Sequence, residues 1–113
     1  MPAASIDMTP EQRRIVEEIL RAGLPQGSAV WVFGSRATGR ARHYSDLDLV
    51  IDAERRLTLD ETGQLADAFT DSDLPYRVDI VDWQAVGEGF RKSIAADRLS
   101  LIDKSQAVMN TKE

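Results

Sequence analysis

The sequence contains no cysteine. That excludes a disulfide framework, a thiolate zinc site and a cysteine nucleophile. It also lacks any excess of basic residues: 14 Lys and Arg stand against 19 Asp and Glu, a formal net charge of −5. Direct nucleic-acid binding through a basic surface is therefore not expected, because such binding runs on cations that neutralise phosphates. No segment approaches the ~20 apolar residues of a membrane span. The opening MPAASIDMTPEQRR has no basic start followed by an apolar run, so it does not read as a signal peptide, and a cytoplasmic location is expected. Repeats and low-complexity tracts are missing too.

What is present is ordinary for a globular chain: 113 residues, 42% hydrophobic and 29% charged. That suffices for one modest core, and a single domain over 1–113 is expected, with residues 1–8 as a loose arm and 104–113 as a polar, frayed tail. Thr9, Pro10 and Gln12 make a helix-start signal, a capping residue, a first-turn proline and a box partner. Ile15, Ile19 and Leu20 continue at helical spacing, and Gly23 and Pro25 stop the helix. Ala29–Phe33 is a continuous apolar run between Gly27 and Gly34, the pattern of a strand buried on both faces. A stretch of small and basic residues follows, and then a second strand through Leu47–Ile51. Thr58–Phe69 reads as a helix, Arg77–Asp82 as a third strand, Trp83–Ala96 as mostly helical with an interruption at Gly87 and Gly89, and Leu99–Ile102 as a short last strand. The order predicts an α/β (α+β) domain, a small mixed sheet flanked by helices.

Asp46 and Asp48 stand at the start of the second strand, and residues two apart on a strand leave the same face. Their Cα atoms are expected ~7 Å apart, close enough for both carboxylates to serve one or two cations. Asp79, inside the third apolar strand, joins them if the two strands are neighbours. A lone aspartate in such a place is most often a solvent-side residue or a turn cap. Three on two apolar strands are harder to explain that way, since charge in a buried strand is costly unless paired or metal-bound. Hard divalent cations such as Mg²⁺ take oxygen ligands of this kind and share them with substrate phosphates. Gly34-Ser35, directly after the first strand, offers close backbone approach, free amides and a hydroxyl to phosphate oxygens. Arg36 is placed either on a triphosphate or at the surface. Arg40, Arg42 and His43 read as a solvated loop, and Asp82 as a turn residue.

Phe33-Gly34-Ser35-Arg36, the ten-residue spacer from Arg36 to Ser45, and Ser45-Asp46-Leu47-Asp48-Leu49 together resemble the signature of the DNA polymerase β-type nucleotidyltransferase superfamily. The segments Ser72–Asp79 and Phe90–Ile94 are similar to its minimal nucleotidyltransferase (MNT) branch, and the likeness runs from about residue 9 to 103. The resemblance implies the nucleotidyltransferase fold. It implies two Mg²⁺ ions on Asp46, Asp48 and Asp79, and phosphates of ATP or another NTP on Gly34 and Ser35, with Arg36 as a further contact. Asp79 is implied to help an acceptor hydroxyl lose its proton. Larger superfamily members carry domains that hold the acceptor, and a chain of 113 residues is not expected to hold one. The MNT branch is paired with a helical HEPN protein in toxin–antitoxin systems. That implies AMP transfer to a tyrosine of a HEPN partner, with this chain as antitoxin. Nucleotidylation of a small molecule with a substrate-binding subunit, and a non-catalytic antitoxin acting by complex formation, remain as alternatives. Trp83, Phe90 and Ile94 are candidate partner contacts, although the spacing of the last two also suits a core helix.

Overall fold

Thr9 opens the first helix as its residue type requires. Its hydroxyl accepts from the Gln12 amide at 3.0 Å and the Gln12 side chain accepts from the Thr9 amide at 3.1 Å. In the computed structural model, which describes residues 5–103, this starts α1 (Pro10–Gly23). There follow β1 (Ala29–Phe33), a one-turn α2 (Ser35–Thr38), β2 (Leu47–Asp52), α3 (Leu59–Thr70) and β3 (Val78–Asp82). A 3-10 turn (Trp83–Ala85), α4 (Glu88–Ala95) and β4 (Leu99–Ile102) complete the domain. Thr58 caps α3 with the same reciprocal box, using Glu61.

The four strands lie in the order β3-β2-β1-β4. β1 is antiparallel to both neighbours, whereas β2 and β3 run parallel with α3 as the crossover between them. The mixed sheet with flanking helices expected from the sequence is the observed architecture. Val30 and Val32 of β1 and Leu47, Leu49 and Ile51 of β2 pack with Val16 and Leu20 of α1 and Leu65 and Phe69 of α3. Each such side chain contributes about 1.5–3 kcal/mol on full burial. The alternate residues, Trp31, Phe33, Asp48 and Val50, leave by the opposite face, and that face carries the polar groups.

Three readings change in detail. The spacer after Gly34 contains a helical turn, α2, which small and basic residues do not announce. Trp83–Ala96 divides into the 3-10 turn and α4, with Gly87 as the helix cap. Residues 5–8 are held rather than loose: the Asp7 amide donates to the Arg36 carbonyl at 2.8 Å, and Ile6 and Met8 pack on the core. Residues 1–4 and the tail 104–113 lie outside the described residues. Ile94 is buried, whereas Phe90 is exposed and meets Phe33 edge-on at 5.7 Å. Among the described residues no helix is long and apolar enough to cross a membrane.

Candidate active site

Parallel pairing of β2 with β3 sets Asp48 directly beside Asp79. On its other side Asp48 pairs with Phe33, the last residue of β1 before Gly34 and Ser35. Asp46 stands one residue before β2 and shares the face of Asp48. The sheet thus brings Asp46, Asp48, Asp79 and the Gly34-Ser35 turn to one end of one face. The Leu47 amide donates to the Arg77 carbonyl at 2.8 Å, locking the starts of the two acid-bearing strands together.

Asp48 is the innermost of the three acids. Burial, then the charge of Asp79, then that of Asp46, push its carboxyl above the usual aspartate range. Among the described residues no donor reaches its carboxylate. Asp46 and Asp79 are each about half exposed, and the Arg77 guanidinium stands 3.5 Å from one and 3.3 Å from the other. Arg77 is itself three-quarters exposed, so it is a solvated counter-ion rather than a fixed partner.

Gly34 has a reason to be glycine beyond phosphate approach. Its φ is +77°, and a Cβ there would collide with a carboxylate oxygen of Asp48. The turn and the acid are therefore fitted to each other. The Ser35 hydroxyl makes no hydrogen bond among the described residues and is free for a ligand. A cleft of about 330 Å³ opens beside Gly34-Ser35, lined also by Arg40 and Ser93. Arg40, read from the sequence as a solvated loop residue, borders this cleft. A cleft of like volume between the end of α1 and β4, at Leu24 and Ile102, presents no carboxylate among the described residues.

Arg36 is used differently from a phosphate ligand. It is 4% exposed, and its guanidinium donates to the carbonyls of Asp7, Arg42, His43 and Ser45. Four hydrogen bonds turn its fork into the protein, so it is not the surface residue the sequence also allowed, and its fork is not presented to a triphosphate. Asp82 is the turn residue its position suggested. It caps the 3-10 turn by accepting from the Gln84 amide at 3.0 Å, and it also accepts from the Leu57 amide at 2.8 Å.

The donor set fits a hard divalent cation. It offers carboxylate oxygens alone, coupled by mutual repulsion that a cation relieves. Among the described residues no three acids close into a ready-made cage. An open set suits Mg²⁺, which keeps waters and completes its shell with substrate phosphates.

The polymerase beta, nucleotidyltransferase family model matches residues 16–107, most of the chain and every residue of this site. The chain belongs to that family. It is 41% identical over 105 residues, 93% of this chain and 91% of the relative, to "Probable protein adenylyltransferase MntA" of Haemophilus influenzae. Among solved structures it resembles a toxin–antitoxin structure with AMP-PNP, at a TM-score of 0.70 and 21% identity, covering 88% of this chain and 82% of that one. It also resembles a structure of the tri-AMPylated HEPN toxin of Shewanella oneidensis in complex with MNT antitoxin. There the TM-score is 0.67 at 19% identity, over 91% of this chain and 79% of that one. The two structural likenesses show the fold; the family model and the Haemophilus relative show the family.

Proposed function

We propose that this nucleotidyltransferase transfers AMP from ATP to a tyrosine hydroxyl of a HEPN-type helical partner, and thereby acts as the antitoxin of a two-component system in the cytoplasm. The observation that carries the reading is the convergence of Asp46, Asp48 and Asp79 with Gly34-Ser35 at one end of the sheet. The name of the Haemophilus relative and the AMPylated partner of the Shewanella protein support the choice of AMP and of acceptor.

In the proposed step the acceptor oxygen attacks the α-phosphorus, the bond to the β-phosphate bridging oxygen breaks, and pyrophosphate leaves. The hydroxyl proton passes to the Asp79 carboxylate. Ser35 and the Gly34 turn would hold the β- and γ-phosphates, and Asp46, Asp48 and Asp79 would hold the magnesium ions. Two Mg²⁺ ions, when bound, neutralise the charge on the attacking and leaving oxygens. The remaining work is positioning, which suffices for much of phosphoryl-transfer catalysis. Asp79 suits the proton role because it is the outer acid on the neighbouring strand, half exposed to an incoming acceptor.

The test is incubation with α-labelled ATP and Mg²⁺, with and without a HEPN partner from the adjoining gene. Label on a partner tyrosine, dependent on Mg²⁺, is the expected result. Label on a small molecule only, or protection from the toxin by a transfer-dead Asp79→Asn protein, would overturn the choice of acceptor or the need for catalysis.

A further inference from the structure

The stretch from Thr38 to Ser45 has to deliver Asp46 to a fixed point, yet it has little of its own to anchor it. From Thr38 to Ser45 no side chain is fully buried, and Tyr44 is 71% exposed. A loop without apolar anchors is ordinarily mobile. Here one side chain reaches back across it. Arg36 Nε donates to the Ser45 carbonyl at 3.0 Å, and Nη2 donates to the carbonyls of His43 at 3.1 Å and Arg42 at 3.3 Å. Nη1 donates to the Asp7 carbonyl at 2.9 Å. The guanidinium also lies over the Tyr76 ring, 3.8 Å from its centroid, and Tyr76 stands three residues before Asp79 on the chain entering β3.

One buried cation therefore touches the segment that follows the phosphate turn, the segment that leads into Asp46, and the segment that leads into Asp79. It makes no ion pair among the described residues; carbonyl dipoles and the ring face take up its charge. A cation buried at that cost demands several well-placed acceptors, and only a rigid five-donor fork can serve so many at once. We propose that Arg36 is the positioning residue of the acid cluster. It holds the approaches to Asp46 and Asp79 at a fixed distance from Ser35, and it never touches the nucleotide. This rests on the site proposed above, but its test does not need the transfer reaction.

The test uses the full chain carrying Arg36→Lys, which keeps charge and bulk and loses the fork, and Arg36→Ala, read with and without millimolar guanidinium ion. Backbone hydrogen exchange of residues 42–47 in the absence of ligand is the first readout, and Mg²⁺ affinity by calorimetry the second. In folded Arg36→Lys, exchange of the Ser45 and Leu47 amides rises at least ~10-fold and Mg²⁺ affinity falls ~10-fold, the order set by supporting partners of metal ligands. Free guanidinium restores both in Arg36→Ala. Wild-type exchange and wild-type Mg²⁺ affinity in Arg36→Lys, with a weakened ATP affinity, would overturn the proposal and return Arg36 to the triphosphate. Should the wild-type protein transfer AMP to nothing, the function proposed above fails while these two readouts still decide the role of Arg36.

Discussion

The two ends of the β2–β3 pair carry the same residue type under opposite conditions. At the far end Asp52 and Asp82 are supplied with donors. Asp52 accepts from the Glu54 amide at 2.9 Å and the Gln84 side chain at 3.0 Å, and Asp82 accepts from two backbone amides. At the near end Asp48 lies beside Asp79 and two residues from Asp46, with one exposed arginine to serve the outer two. Acids given donors hold loops in place; acids given each other store repulsion that a cation releases. The difference singles out the near end as the candidate site from geometry alone, since a fold built for stability alone would not stack three carboxylates.

Breaking the near end at its centre should have the largest effect. Asp48→Asn is expected to cut transfer by ~10³-fold or more, because it removes charge at the reacting phosphate, and to weaken Mg·ATP binding with it. The same change should stabilise the metal-free protein. Asp48 has its folded pKa raised, so the folded state holds its proton longer than the unfolded chain does. Stability from that group is full at low pH and is lost as pH rises through the raised value. Metal-free melting of both proteins from acid to neutral pH should show curves that separate as pH rises, with Asp48→Asn the more stable. Glu61 works in the other direction. Paired with Arg55, its carboxyl is held down to about 2, so its contribution is present above the ordinary glutamate range and fades as pH falls through about 2. Mutant and wild type share that loss, so it cancels in the difference. Curves that stay together across the whole range would refute the claim that Asp48 is under repulsion.

Asp79→Asn separates the roles within the cluster. Transfer should fall ~10²–10⁴-fold, the usual worth of a positioned base, while Mg·ATP affinity stays near wild type and the metal-free protein melts no lower than wild type, since loss of the Asp79 charge relieves Asp48. Titration calorimetry and melting on one sample check both halves. A folded variant transferring at the wild-type rate removes Asp79 from the reaction.

Asp82→Ala tests the far end. Loss of its two amide contacts should cost about 0.5–2 kcal/mol, seen as a lower melting temperature, with activity per folded molecule unchanged within about twofold. A specific loss of activity would erase the contrast between the ends. The smallest effect is expected at Arg77. Arg77→Gln removes an exposed counter-ion worth at most ~1 kcal/mol, so Mg²⁺ binding should tighten by less than about fivefold in calorimetry.

The start of α1 was legible because a capping box acts within four residues: Thr9 with Gln12 needs nothing from the rest of the chain, whereas α3 was legible from its apolar spacing and its Thr58–Glu61 box emerged with the structure. Strand positions were legible because short apolar runs have few other uses, most clearly Ala29–Phe33 between Gly27 and Gly34. The turn α2 was not, since its residues have no helical pattern; it lies between Gly34 and Gly39, both at positive φ. Within the candidate site, Gly34-Ser35 and the aspartates stood out as a spaced motif. The role of Arg36 did not, because residue type and position next to Ser35 suit a phosphate ligand as well as a clasp.

The sequence by itself determined which residues could do chemistry and which face of β2 would carry them, through side-chain type and the two-residue period of a strand. Only the tertiary structure decided that β3 lies parallel beside β2, bringing Asp79 level with Asp48 rather than one residue out of step. It also decided that Arg36 turns inward and that, among the described residues, Asp48 has no donor while Asp82 has two. These facts depend on what residues far apart in the chain place next to each carboxylate or guanidinium. Local pattern does not encode that neighbourhood, and it is the neighbourhood that makes one aspartate a cap and another a candidate for catalysis.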